Sequence, residues 1–125
     1  RKMSGDRHLL IVGSNQRNQE LLTQFITREG FNAICAASIT DLDTKISDSK
    51  NISMALIDIS GFDRTIWQYC EQLREKGIPL LVISPRESAT ITQEGITHGA
   101  RSVLVKPLVM KELLILIHSM IGESK

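Results

Sequence analysis

Short apolar runs alternate along the chain with longer segments that mix apolar and polar residues. Five of these runs have the length and continuous apolar character of strands buried on both faces of a sheet. They lie at residues 9–12, 31–37, 53–58, 78–84 and 102–105. Buried strands joined by helices predict an α/β fold, with one doubly wound parallel sheet of five strands and helices on both faces.

The segments between the runs have the periodicity of amphipathic helices. The first helix is predicted over residues 16–29, with Asn15 as its N-cap and Gly30 at its end. The others are predicted from Ser38 to about residue 47, from Asp63 to Gly77, over 89–98 and over 109–121. The helix at 89–98 is rich in threonine and contains Gly95, so we expect it to be the least stable.

Composition and charge narrow the class of protein. The chain has 125 residues, of which 42% are hydrophobic and 23% charged, which suits one domain over residues 1–125. A formal net charge of +1 gives no reason to expect a nucleic-acid or membrane partner. No apolar stretch approaches the roughly 20 residues that span a bilayer, and residues 1–8 lack the apolar segment of a secretory signal. We therefore expect a cytoplasmic domain.

The cysteines and histidines give no metal or redox motif. Cys35 and Cys70 each lie inside an apolar pattern, without a CxxC or Cys/His partner at metal spacing. We expect two reduced, buried thiols. His8, His98 and His118 are scattered, and His98, near the end of a predicted helix, is expected to interact with the helix dipole.

Polar residues that follow the predicted strands mark the place for chemistry. In an open parallel sheet, ligands bind beyond the carboxyl ends of the strands. Asp58 ends the third strand, Ser84 ends the fourth, and Lys106 follows the fifth. A carboxylate at the end of a buried strand is costly unless it is compensated. We therefore expect Asp58, Ser84 and Lys106 to converge, with Lys106 neutralising Asp58 and Ser84 donating a hydrogen bond.

Over about residues 7–122 the chain resembles the receiver domain of the two-component response-regulator family. The resemblance rests on ALID (55–58), VIS (82–84) and LVKPL (104–108), and most specifically on HGARSVLVKPL (98–108). It implies a flavodoxin-like (βα)5 fold, with Asp58 as the candidate phosphoacceptor and Ser84 and Lys106 in its pocket. It also implies a cis peptide bond before Pro107.

The chain departs from the family pattern at three places. Gly13 and Ser14, followed by Asn15, stand where the family has an acidic pair that helps to hold Mg²⁺. The loop after the phosphoacceptor is shortened to ISGFD (59–63), and Val103 replaces the aromatic switch residue. A standard pocket has a formal charge of −2, whereas Asp58 and Lys106 sum to about zero. We therefore expect at most weak Mg²⁺ binding through Asp58 and no other cofactor.

These features predict a signalling module, not an enzyme: an atypical receiver that acts through the face formed by residues 88–121. Its expected partners are a histidine kinase or another signalling protein, an output domain after Lys125, and a second copy of the chain. Three alternatives stay open. Asp58 could be a conventional phosphoacceptor despite the missing acids, residues 13–17 of a flavodoxin-like domain could bind an anion or nucleotide, or the domain could only dimerise.

Overall fold

The computed structural model describes residues 8–48 and 51–121, in which strands and helices alternate. The strands are β1 (His8–Val12), β2 (Asn32–Ala36), β3 (Ile52–Asp58), β4 (Leu80–Ser84) and β5 (Ser102–Val105). The helices are α1 (Gln16–Arg28), α2 (Ile39–Asp48), α3 (Thr65–Glu75), α4 (Ala89–Thr97) and α5 (Met110–Met120). The strands pair in parallel in the order β2-β1-β3-β4-β5, which confirms the predicted (βα)5 fold.

Parts of two predictions fall on residues that are not described. Residues 49–50 belong to the polar connection expected between α2 and β3, and they lie outside the described residues. Lys125, after which an output domain is expected, also lies outside them. Among the described helices, none combines the length and apolar character needed to cross a membrane.

Two strands begin later than the apolar runs predict. The predicted starts at Phe31 and Ile78 are wrong by one and two residues, because both amides bond to the preceding helix instead of the sheet. Phe31 N–H donates to the carbonyl of Ile26 at 3.2 Å, and Ile78 N–H donates to that of Leu73 at 2.9 Å. These bonds satisfy carbonyls at the ends of α1 and α3, and so link each helix to the strand that follows it.

The sheet separates two apolar cores, and the alternation of side chains along each strand decides which core a residue joins. On β1, Leu9 and Ile11 point into the core covered by α1 and α5. Leu10 and Val12 point into the core covered by α2, α3 and α4. This layering confirms that helices cover both faces, and it places the loops at the strand ends at the rim between the two cores.

The cysteines lie on the two sides of this arrangement and are unpaired. Cys70 is buried in α3, and burial raises the pKa of its thiol to about 12, so it is a neutral thiol at physiological pH. Cys35 is only half-buried, with its sulfur 3.2 Å from Thr23 Oγ1. The expectation of a fully buried Cys35 is therefore wrong, because β2 is an edge strand.

Gly95 brings α4 close to β5. The residue is buried, and a Cβ atom added to it would lie 2.7 Å from Cγ2 of Val103. Sequence reasoning treats Gly95 as a weak point within a helix, whereas the structure gives it a packing function. Its missing side chain is what allows the helix to approach the strand at Val103.

We expect Gly95→Ala to destabilise the protein by about 1–3 kcal/mol, because the cost of overpacking against Val103 exceeds the gain in helix propensity. Urea unfolding followed by circular dichroism measures the change. Val103→Ala removes the clashing methyl groups, so the double variant should recover part of the loss. A Gly95→Ala protein as stable as the wild type would show that α4 does not need this close approach.

Candidate functional site

The sheet brings Asp58 and Lys106 together, as the sequence predicts. Asp58 is the last residue of β3 and pairs in register with Ile83 of β4, while Lys106 follows β5 directly. The amide of Lys106 donates to the carbonyl of Ser84 at 3.0 Å, which extends the β4–β5 ladder to the lysine. Its Nζ lies 2.7 Å from Oδ2 of Asp58. Lys106, which follows β5, thus reaches across the end of β4 to Asp58 at the end of β3.

The ion pair between Asp58 and Lys106 is largely shielded from water. The Asp58 side chain is 13% exposed and the Lys106 side chain 27% exposed. The second carboxylate oxygen, Oδ1, accepts a hydrogen bond from the amide of Ser60 at 3.1 Å. Both oxygens of Asp58 therefore have protein donors, which offset the free-energy cost of placing a carboxylate at the end of a buried strand.

Ser84 is also at the strand ends, but its hydroxyl group serves the loop that follows β4. The residue is 1% exposed, and its Oγ donates to the backbone carbonyl of Arg86. The amide of Arg86 lies 3.4 Å from the same oxygen. Because a serine hydroxyl has one proton, the expected hydrogen bond from Ser84 to Asp58 is wrong in this conformation. The backbone carbonyl of Arg86, and not the carboxylate of Asp58, accepts the hydroxyl proton of Ser84.

The residues after β1 lie against the same site. Gly13 is buried, and a Cβ added to it would sit 3.6 Å from Cβ of Asp58, an ordinary contact distance. Ser14 donates from Oγ to the carbonyl oxygen of Ser60 at 2.9 Å. Asn15 caps α1, as predicted, by accepting from the amide of Asn18 at 2.9 Å. These residues place hydrogen-bonding groups, and no carboxylate, beside Asp58.

Ser14 and Gly61 hold the two loops tightly together. Gly61 has a φ of 84°, and a Cβ there would lie 2.3 Å from Oγ of Ser14. Only glycine fits this position, because of both the left-handed backbone and the contact. The Ser14–Ser60 hydrogen bond therefore joins the loop after β3 to the loop after β1.

The remaining predicted positions lie around the pair. The Lys106–Pro107 peptide bond is cis, as the resemblance implies. Val103, at the position where the resemblance implies the switch residue, is half-buried on β5 and faces Gly95 of α4. Within residues 8–48 and 51–121, no cluster of three or more histidine, cysteine, aspartate or glutamate side chains is arranged to hold a metal ion.

Sequence reasoning missed a cavity of about 490 Å³ beside the ion pair. It runs from Asp58 and Lys106 between α1 and the segment that leads into α5. Much of its lining is apolar, including Leu21, Leu22, Leu108 and Met110. Leu21 is an apolar residue of α1 that is nonetheless 50% exposed in the structure.

A second missed feature is a cluster around His98, the C-cap of α4. Its Nδ1 contacts Glu71 of α3, and its Nε2 lies 3.0 Å from Glu94 of α4. The ring also stacks on Trp67 at a centroid distance of 5.8 Å. His98 thus lies at the carboxyl end of a helix, as predicted, and also contacts three side chains that the sequence analysis did not assign to it. The spacing of Glu94 and His98 is the i,i+4 signal that could have predicted one of the contacts.

The sequence of this chain is similar to one protein family and to several characterised proteins. Residues 9–118 match the family model described as the response regulator receiver domain. The transcriptional regulatory protein HprR of Escherichia coli K12 is 31% identical over 108 residues, which are 85% of this chain and 48% of HprR. TorR of the same organism, the TorCAD operon transcriptional regulatory protein, is 24% identical over 115 residues, 91% of this chain and 50% of TorR. The chain thus spans about half the length of these relatives.

Solved structures have the same fold. A CheY-like receiver domain protein from Methanospirillum hungatei JF-1 superposes with a TM-score of 0.84 at 22% identity, over 94% of each chain. The receiver domain of the TMAO respiratory system response regulator TorR gives 0.84 at 22% identity, over 95% of this chain and 99% of that one. At these identities the likeness establishes the fold alone.

We expect Lys106→Met to destabilise the protein by about 1–3 kcal/mol, because it leaves a shielded carboxylate without its cation. Asp58→Asn should remove most of this cost when combined with Lys106→Met, since neither partner is then charged. Urea unfolding of the wild type, both single variants and the double variant gives the coupling free energy. Costs that simply add would show that the pair contributes no interaction of its own.

Proposed function

The chain belongs to the response regulator receiver domain family, and from this we propose that it is an atypical receiver whose Asp58 is phosphorylated weakly or not at all through Mg²⁺. Receiver domains are signalling modules of two-component systems. The single observation that carries the atypical assignment is that protein donors engage both oxygens of Asp58.

The oxygen atoms around Asp58 do not suit a magnesium ion. Mg²⁺ requires octahedral oxygen ligands and prefers carboxylates and water. Asp58 is paired with Lys106, and the carbonyl oxygen of Ser60 accepts from Ser14. A cation would compete with these donors for the oxygen lone pairs and would find no carboxylate besides Asp58. Of the residues after β1, Gly13 has no side-chain oxygen, Ser14 has a neutral one, and the side-chain oxygen of Asn15 caps α1.

The negative charge that is missing beside Asp58 would contribute more free energy to Mg²⁺ binding than the remaining neutral oxygens can. One charge pair at 4 Å and an effective dielectric constant of 20 is worth about 4 kcal/mol before desolvation is counted. The family's acidic pair would contribute two such interactions with a divalent ion. Phosphoryl transfer relies on a cation to neutralise the charge that develops on the transferred group. We therefore infer slow transfer to Asp58.

The residues that would transmit a signal are also held in place. The Ser84 hydroxyl is bonded to the carbonyl of Arg86, and Val103 lies against Gly95 where the family has a movable aromatic ring. We infer that the face over residues 88–121 binds a partner without a large phosphorylation-driven rearrangement. Exposed Ile96 and Ile115 on this face suit a second copy of the chain or another signalling protein, with a histidine kinase among the candidates.

HprR and TorR are transcriptional regulatory proteins about twice as long as the region that this chain matches. We infer that this receiver is likewise linked to an output domain that follows Lys125. Direct nucleic-acid binding is not assigned to the receiver itself, because its net charge is only +1.

Conventional phosphorylation is the second candidate, and the placement of Asp58, Lys106 and the cis Pro107 bond favours it. In this case a histidine kinase would supply the phosphoryl group and the missing acids would only lower the rate. A nucleotide site at residues 13–17 has less support, because the cavity beside them is lined mainly by apolar groups.

Acetyl phosphate with Mg²⁺ should leave the wild-type protein largely unmodified, because the site recruits the cation poorly. Gly13→Asp combined with Ser14→Asp should restore phosphorylation and lower the Kd for Mg²⁺ by at least about tenfold. Aspartate is accommodated at Gly13, where a Cβ meets only an ordinary contact. Intact-mass spectrometry measures the phosphoryl adduct, and isothermal titration calorimetry measures Mg²⁺ binding.

Gly13→Asn with Ser14→Asn is the matched control, since it adds the same bulk without charge and should behave like the wild type. Asp58→Asn shows which adduct belongs to Asp58. Rapid and complete modification of the wild type, lost in Asp58→Asn, would overturn the atypical assignment in favour of a conventional phosphoacceptor.

A further inference from the structure

We propose that the cavity beside the Asp58–Lys106 pair binds a small amphipathic monocarboxylate, with its carboxylate on Lys106 and its hydrocarbon part between α1 and the start of α5. This site goes beyond the receiver function and does not require phosphoryl transfer. A volume of about 490 Å³ lies within the ordinary range for small-molecule sites, roughly 300–1,000 Å³.

The lining of the cavity has two distinct parts. One part is apolar and contains Leu21, Leu22, Leu108 and Met110. Leu21 is 50% exposed and Met110 is 38% exposed, so a ligand would remove apolar surface from water that folding leaves uncovered. The other part contains the Lys106 ammonium group. The ligand class must therefore combine a hydrocarbon segment with one polar head.

The polar part favours a negatively charged head. The ammonium group of Lys106 has three N–H donors, and the contact with Asp58 uses one of them. Asn15 and Asn18 line the cavity at the amino end of α1, whose first turn contains no acidic residue. The positive end of this helix dipole adds to the attraction for an anion.

The charge of the site limits that head to a single negative charge. Asp58 already neutralises Lys106, so a phosphate dianion would place excess negative charge beside a shielded carboxylate. A carboxylate can share the ammonium group with Asp58 by using its remaining donors. Binding would then weaken the Asp58–Lys106 contact. A small molecule would thus alter the ion pair without any metal ion.

Octanoate is a suitable probe, with octanamide as its uncharged match, and amide NMR of the ¹⁵N-labelled protein in EDTA provides the readout. We expect octanoate to shift the resonances of Gly13, Leu22 and Lys106 saturably, and octanamide to bind at least about tenfold more weakly. Acetate, inorganic phosphate and adenosine monophosphate should bind more weakly than octanoate.

Three variants test the two parts of the site. Lys106→Met should remove the preference for octanoate over octanamide. Leu21→Gln should weaken both probes, whereas Ile96→Gln, a residue equally exposed on α4, should weaken neither. The Leu21 and Ile96 variants change exposed side chains, so they decide the question even if Lys106→Met fails to fold.

The proposal fails if octanoate causes no saturable shift, or if Leu21→Gln and Ile96→Gln weaken it equally, which would indicate nonspecific adsorption. Tighter binding of phosphate or adenosine monophosphate would overturn it in favour of a phosphate site. Because EDTA is present throughout, none of these results depends on whether Asp58 can be phosphorylated.

Discussion

The ion pair between Asp58 and Lys106 is the interaction on which the site depends. A carboxylate at the end of a buried strand needs a compensating charge, and here a lysine 2.7 Å away supplies it. The pair forms because parallel strands end at the same edge of the sheet and because the β4–β5 ladder carries Lys106 over β4. The second oxygen of Asp58 accepts from the amide of Ser60, whose carbonyl oxygen accepts from Ser14, so hydrogen bonds join the loops beside the pair.

This arrangement connects the fold to the proposed function. In our interpretation, a site whose charges neutralise each other has little negative potential left to attract a divalent cation, and the cation would compete with the hydrogen bonds that hold its loops. The close contact of Gly95 with Val103 lies within the proposed partner-binding face, residues 88–121, and we interpret it as holding α4 against β5. The cavity beside Lys106 offers a different route by which a ligand could act on the pair.

The architecture and the ion pair could be predicted from the sequence because they follow from local pattern and from a topological rule. Apolar runs identified the strands, and the rule for strand ends selected Asp58 and Lys106. Details set by nonlocal contacts could not be predicted. The contact of His98 with Glu71 depends on how α3 packs beside α4. The bond from Ser84 to Arg86 is local, and the conformation of the loop after β4 decides whether it forms. The cavity is lined by residues from several elements, and it leaves Leu21 of α1 exposed.

The most direct test of the central claim is amide NMR of the wild-type protein during addition of beryllofluoride with millimolar Mg²⁺. If the ion pair stands in place of a metal site, the resonances of Asp58, Ser60 and Lys106 should remain close to their starting positions. Large, saturable shifts at these residues would show that Mg²⁺ and a phosphoryl analogue can displace the existing contacts, and would contradict the claim.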